Sequence, residues 1–206
     1  MRIGLISDTH LPQLVRQLDE LGPEAGEFLS TVDLILHGGD VTAPAVLEWC
    51  SQYGDLLVAR GNNDRFKDPR MEPLVRLDIE GFRIGMVHEL RPESRPMDQL
   101  LKQATGSDPV DILISGDTHV ERLEYRDGVV FINSGSPTFP HHLEMRLGSV
   151  ALLEVEPGRI RAEIVKLGET PGMRNPIRPS HLEVVDGKIV SASYNGEVLP
   201  VGEEEE

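Results

Sequence analysis

The sequence predicts an α/β domain of two sheets packed face to face with helices outside. Three observations lead there. From Met1 to Ala59, apolar runs of strand length alternate with helix-spaced segments, the pattern of a parallel sheet with crossover helices. Beyond Leu74 the turn signals Glu80-Gly81, Asp127-Gly128, Pro157-Gly158 and Asp186-Gly187 sit between strand-like runs, which points to antiparallel hairpins. Residues with metal-ligating side chains fall just past the expected strand ends.

Taken in order, Ile3 to Ser7 is a short apolar run closed by Asp8 and reads as a buried strand. Leu11 to Ser30 carries helical spacing at Leu14, Leu18, Leu21, Phe28 and Leu29. Gly22-Pro23 breaks it, so two helical pieces are expected. Asp33 to His37 is a second strand ended by Gly38-Gly39, Ala45 to Tyr53 a helix, and Asp55 to Ala59 a third strand. Leu74 to Ile79 and Arg83 to Val87 form the first hairpin. Met97 to Ala104 is a helix and Asp111 to Ser115 a buried strand. Two hairpins follow, Arg122 to Tyr125 with Val129 to Ile132, and Val150 to Val155 with Arg159 to Val165. Gly168 to Pro179 is rich in proline and glycine and reads as a linker. Leu182 to Val185 and Lys188 to Ala192 make a last hairpin before the acidic tail Glu203 to Glu206, expected to be a solvated, disordered end. The expected division is a domain over 1–167 and an appendage over 168–206.

Composition narrows the class. With 206 residues, 39% hydrophobic and 27% charged, the chain has the profile of a soluble globular protein. Its apolar stretches, such as that around Ile112 to Ile114, are only strand length, so no membrane span is expected. Met1 to Ile6 runs straight into a polar motif, without the apolar core and cleavage site of a signal peptide. The single cysteine, Cys50, excludes an internal disulfide and a thiolate zinc cluster. Beside Trp49 it is expected to be buried. A cytoplasmic location follows as the expectation. The formal net charge of −15 argues against broad nucleic-acid binding, for want of a basic patch. It does not exclude a small phosphate ester, because bound divalent cations reverse the local field. A homo-oligomer stays open.

Asp8, His10, Asp40, Asn62, His88, Asp117 and His119 share one placement, at or just past an expected strand end. Ligands of α/β sheets bind at the carboxyl ends of strands, so seven donors would converge on one edge. Carboxylate, carboxamide and imidazole suit hard-to-borderline divalent ions: Mn²⁺, Mg²⁺, Fe²⁺ or Zn²⁺. A carboxylate can bridge two such ions about 3.5–4 Å apart, and the pair clamps the attacking and leaving oxygens of an in-line displacement.

The motifs stand as Asp8-Thr9-His10, Gly39-Asp40, Gly61-Asn62-Asn63-Asp64, Val87-His88 and Gly116-Asp117-Thr118-His119. In order and spacing the chain resembles the calcineurin-like metallophosphoesterases over about Met1 to Val165, and in size their small bacterial and archaeal phosphodiesterase branch. The resemblance implies a four-layer α/β/β/α sandwich. It implies a first metal held by Asp8, His10 and His119, a bridging Asp40, and a second metal held by Asn62, His88 and Asp117. The implied cofactor is a pair of divalent ions, Mn²⁺ foremost, with Mg²⁺, Fe²⁺, Ni²⁺ or Zn²⁺ as alternatives. Asn63, Asp40 and His119 form the expected catalytic set, with a hydroxide bridging the metals as nucleophile.

Two positions depart from the family pattern. Asp117 stands where Gly-His-Thr-His has its first histidine. Two divalent ions, three carboxylates and a hydroxide then sum to no net charge, where histidine would leave one positive charge. Asn63 stands where many members carry a histidine that protonates the leaving group, and an amide cannot do so at neutral pH. Both departures favour diesters or activated esters over alkyl monoesters. A phosphomonoesterase on the same site, or a largely non-catalytic protein-binding scaffold like the family's small retromer subunit, are the alternatives. Around the site, His37 reads as a structural histidine. Asp64 either bonds its own loop or orients a ligand histidine. Asn133-Ser134-Gly135-Ser136-Pro137 shapes the floor of the cleft, and His141 and His142 read as a surface pair, with phosphate contact as the competing reading.

Overall fold

Strand alternation sorts the apolar residues of each inner strand to opposite faces, and both faces are buried. The computed structural model describes residues 1–11, 15–16, 20, 22–106 and 108–201. One sheet contains β1 (Arg2–Ile6), β2 (Leu34–His37), β3 (Asp55–Ala59), β4 (Met71–Glu72), β10 (Ser149–Glu156), β11 (Arg159–Lys166), β12 (Ser180–Val185), β13 (Lys188–Tyr194) and β14 (Glu197–Val198). Its spatial order is β14-β13-β12-β11-β10-β1-β2-β3-β4. β1 to β4 run parallel and the other pairings are antiparallel. The second sheet has the order β5-β6-β7-β9-β8. It is built from β5 (Val75–Ile79), β6 (Phe82–Met86), β7 (Ile112–Ser115), β8 (Arg122–Arg126) and β9 (Val129–Asn133), with β6, β7 and β9 parallel.

Three apolar interfaces make four layers. Between the sheets lie Ile3, Leu5, Leu34, Leu36, Ile84, Met86, Ile112, Ile114, Val130 and Ile132. On the far face of the larger sheet, Ile6 and Ile35 meet Ala25 and Leu29 of α1 (Pro23–Leu29) and Val46, Leu47 and Trp49 of α2 (Pro44–Ser51). On the far face of the smaller sheet, Leu113 and Phe131 meet Met97, Leu100 and Ala104 of α3 (Met97–Thr105). Each fully buried aliphatic or aromatic side chain contributes about 1.5–3 kcal/mol, so the inner strands, apolar on both faces, are the most firmly held. The expected α/β/β/α sandwich is the observed one.

The turn chemistry behaves as expected. Glu80-Gly81, Asp127-Gly128 and Asp186-Gly187 each place two consecutive residues at positive φ, the requirement of a tight hairpin whose twist matches its strands. The structure adds β4, β14 and a 3-10 turn at Pro140–His142; elements of two or three residues carry no readable periodicity. Of the two helical pieces expected before Ser30, the second is α1, while most of the first and the acidic tail lie outside the described residues. The stretch 168–179 holds only an isolated bridge between Thr170 and Met173. β12 then pairs with β11, Leu182 opposite Ala162, and extends the larger sheet. Among the described residues no helix is long and apolar enough to cross a membrane.

Cys50 is fully buried on the inner face of α2, and burial pushes its thiol up to about 12 against the opposing pull of Arg70. The thiolate is the reactive form. Native protein at pH 8 should therefore leave a thiol-exchange reagent unreacted, and guanidinium-unfolded protein should consume one equivalent.

Candidate metal centre

The carboxyl ends of β1, β2, β3, β6 and β7 open onto one edge of the sandwich, and each delivers donors there. Asp8 and His10 follow β1, Asp40 follows β2, and Asn62 follows β3. His88 follows β6, and Asp117 and His119 follow β7. Five of these seven adopt left-handed backbone: Asp8 (φ 56), His10 (φ 53), Asp40 (φ 54), Asp117 (φ 68) and His119 (φ 56). Asp and His tolerate this region better than most residues, yet sparsely populated conformations cost roughly 1–3 kcal/mol each and persist only where surroundings over-determine them.

The over-determination is visible. Asp8 N–H donates to the Gly39 carbonyl at 2.9 Å and His10 N–H to that of Asp40 at 3.1 Å, so the loops after β1 and β2 interlock. Asp64 accepts the N–H groups of Asp40 (3.1 Å), Thr42 (2.7 Å) and Gly61 (2.8 Å), joining its own loop to that of Asp40. Of its two expected roles it performs the first, extended to a neighbouring loop. Gly61 has to be glycine, because a Cβ there would collide with the Asp40 backbone and carboxylate. Asn133 donates to the Gly116 carbonyl at 2.8 Å and accepts from Gly135 N–H at 2.9 Å. Ser136 Oγ donates to the Asp8 carbonyl at 2.9 Å. That turn ties the loops after β1 and β7 together, and none of its five residues lines the cleft, whose floor the sequence suggested it would form. His37, fully buried, accepts the Gly39 N–H on Nδ1 at 3.1 Å, and burial holds its ring down at about 3. It is neutral and structural.

Two groups of donors result, Asp8-His10-His119 and Asp8-Asp40-His88, each with ligand atoms within 4.8 Å of one another. Asp8 is common to both. Its Oδ2 accepts from Ser7 Oγ (2.6 Å) and Asp117 N–H (3.0 Å). Its Oδ1 is buried with no hydrogen-bond partner among the described residues, 3.6 Å from His119 Nε2 and 3.9 Å from His10 Nε2. Asp40 also spans the pair, 3.6 Å from His10 Nε2 and 3.4 Å from His88 Nε2. Asn62 Oδ1 lies 3.0 Å from His88 Nε2, and Asp117 Oδ1 lies 3.7 Å from it.

These residues fit divalent ions. A carbonyl only accepts, so His88 Nδ1 donates to Gly38 (2.7 Å) and His119 Nδ1 to Phe139 (2.8 Å), and both rings turn Nε2 inward. That backbone bond is the usual means of orienting a metal-binding imidazole. The orphaned Asp8 Oδ1 and the Nε2 atoms of His10 and His119, 2.9 Å apart, converge where a cation would satisfy all three.

The electrostatics of these side chains point the same way. Burial pushes the Asp8 carboxyl up to about 7. Burial lowers His10, and it lowers His119 to about 4, helped by His10 and His142 against the Phe139 carbonyl. Burial works against a charged His88, but the hydrogen bond it donates to Asp40 and the charges of Asp8 and Asp40 outweigh it and raise the ring to about 9. Burial likewise opposes ionisation of Asp40, and His88 with the Asn63 hydrogen bonds holds that carboxyl well below the usual range.

The cleft over these donors, of about 460 Å³, is lined by His10, Asp40, Asn62, Asn63, Asp117 and His119 together with Arg91, Phe139 and His142. All seven expected donors and Asn63 are gathered. Arg91 was not expected, and His142 only as a competing reading of phosphate contact. His142 stacks on His119 with ring centroids 4.1 Å apart, and His141 pairs with Glu121 at 2.5 Å, so the two histidines are not a plain surface pair. Arg91 carries no motif; only its position three residues after His88 hints at a role.

Two sheets whose parallel strand ends meet at paired Asp/His groups define a metal-binding α/β/β/α protein. The calcineurin-like phosphoesterase superfamily domain matches residues 1–158, and the chain belongs to that family. A probable metallophosphoesterase of Methanothermobacter thermautotrophicus is 34% identical over 82% of this chain and 94% of its own. A phosphodiesterase of Methanocaldococcus jannaschii is 26% identical over 66% of this chain and 83% of its own. Among solved structures, vacuolar protein sorting 29 of Chaetomium thermophilum superposes with a TM-score of 0.73 at 21% identity, covering 90% of this chain and 95% of that one. At that identity the likeness concerns the fold.

Two outcomes follow. Mn²⁺ at about 100 times its dissociation constant stabilises by about 2.7 kcal/mol, which for a chain of this size raises Tm by roughly 5–10 °C over the chelator-treated protein; Asp8→Asn should remove that increment in a thermal melt. Below about pH 9 an incoming ion displaces the His88 proton. Apparent metal affinity should thus rise with pH and level off above 9, with proton release at pH 7 measured by calorimetry in two buffers of different ionisation enthalpy.

Proposed function

We propose that the chain is a cytoplasmic metal-dependent hydrolase of phosphoric esters, with diesters as the preferred class. The observation that carries this reading is the pair of donor groups sharing Asp8 at the carboxyl edge of two packed sheets. Two divalent ions, Mn²⁺ foremost, would supply Lewis acidity there, neutralising phosphoryl oxygens and acidifying the attacking water. Asp8, His10 and His119 would hold one ion and Asn62, His88 and Asp117 the other, with Asp40 within reach of the histidines of both sets.

Asn63 has two tasks. Its N–H and its Nδ2 donate to the two Asp40 oxygens at 2.9 and 2.7 Å, fixing that carboxylate. The second amide N–H is left for a phosphoryl oxygen in the cleft. It delivers no proton, so the leaving group has to depart as a stable anion. A second cleft of about 430 Å³ shares Asn62 with the first and is lined by Pro73, Leu74, Val87 and Ala104 beside the polar Arg60, Glu89 and Gln103. It has room for the second organic substituent of a diester, which a monoester would leave empty.

With added Mn²⁺, bis(p-nitrophenyl) phosphate should be hydrolysed faster than p-nitrophenyl phosphate. Asp40→Ala and His119→Ala should abolish turnover, and Asn63→His should raise alkyl monoester turnover by ~10²-fold or more. A protein that retains no divalent ion and turns over neither substrate would overturn the reading in favour of a binding scaffold.

A further inference from the structure

Asp117 uses both of its oxygens, in opposite directions. Oδ1 faces the metal-binding side, 3.7 Å from His88 Nε2. Oδ2 forms an ion pair with Arg91 Nε, and a second guanidinium nitrogen of Arg91 donates to the Asp117 carbonyl at 2.9 Å. The carboxylate is buried, its side chain 5% exposed. Arg91 is 53% exposed and forms part of the cleft wall with Asn63 and His142. One end of the guanidinium is thereby pinned, while the remaining N–H donors of its five stay at the cleft.

We propose that Arg91 is a substrate-binding residue that clamps the phosphoryl oxygens of an anionic phosphate ester, and that Asp117 positions it. This rests on the phosphoester reading above. The chemistry explains why an aspartate suits position 117. An imidazole turned to a metal through Nε2 presents a Nδ1–H donor on its other side, and a donor repels a guanidinium. A carboxylate presents an acceptor to each. The charge is restored as well: aspartate removes one positive charge from the cluster relative to histidine, and Arg91 returns it, displaced from the ions to the mouth of the cleft. A planar fork there matches two phosphoryl oxygens, which a single point charge does not. With Arg91 restoring the positive charge, Asp117 no longer argues for diesters through a neutral cluster, and the diester preference rests on Asn63 and the second cleft.

The test is calorimetric binding of inorganic phosphate to the Mn²⁺-loaded protein, alongside bound manganese by elemental analysis. Arg91→Ala should raise the phosphate Kd ~10- to 100-fold with unchanged manganese content. Arg91→Lys, which keeps the charge and loses the fork, should recover only part of the affinity. In diester kinetics the Arg91→Ala defect should appear in KM at least as strongly as in kcat. Unchanged phosphate affinity in Arg91→Ala, a wild-type protein that binds no phosphate, or a loss of manganese large enough to explain lost phosphate would each overturn the assignment. The phosphate measurement needs no turnover. A chain that hydrolyses nothing, yet loses phosphate on Arg91→Ala, leaves Arg91 standing and removes the hydrolase reading.

Discussion

The structure turns on one carboxylate. Asp8 sits fully buried where the two sheets meet, in left-handed backbone, held through its N–H by the Gly39 carbonyl, its carbonyl by Ser136 and its Oδ2 by Ser7 and Asp117. A carboxylate in that position is costly unless its charge is met. The chain surrounds it with inward-facing imidazoles rather than a permanent counter-ion. The site is built around a charge deficit, and a divalent cation is what that deficit fits.

Strain and support come in matched pairs around it. Left-handed conformations at five donor residues are held by bonds between loops rather than within them: β1 loop to β2 loop, Asp64 to the Asp40 loop, and the Asn133 turn to the β7 loop. Since the loops grip one another, no donor can relax alone. Below them lie strand interiors packed on both faces. A rigid double sandwich holding a strained rim is a sound way to keep ligands in place before any ion arrives.

The Asp117–Arg91 pair shows how a local departure from a family motif is answered elsewhere in the chain. A substitution that looks like a loss of positive charge in one loop is balanced by a guanidinium from the loop after β6. Residue 117 and residue 91 belong to different segments, and only the adjacency of β6 and β7 in the smaller sheet makes them partners.

Much of this was legible in the sequence. Strand positions followed from apolar runs, hairpins from Glu-Gly and Asp-Gly pairs whose positive φ the backbone adopts, and the seven donors from their place after strand ends. These are local properties, set by side-chain chemistry and short-range sterics, so one segment at a time suffices to read them. The sharing of Asp8 between donor groups, the grip of Asp64 on a neighbouring loop, the stacking of His142 on His119 and the ion pair of Arg91 with Asp117 are different. Each is a distance between residues far apart in the chain, and only the packing of one sheet against the other, with the register of parallel strands inside each, brings such residues within reach.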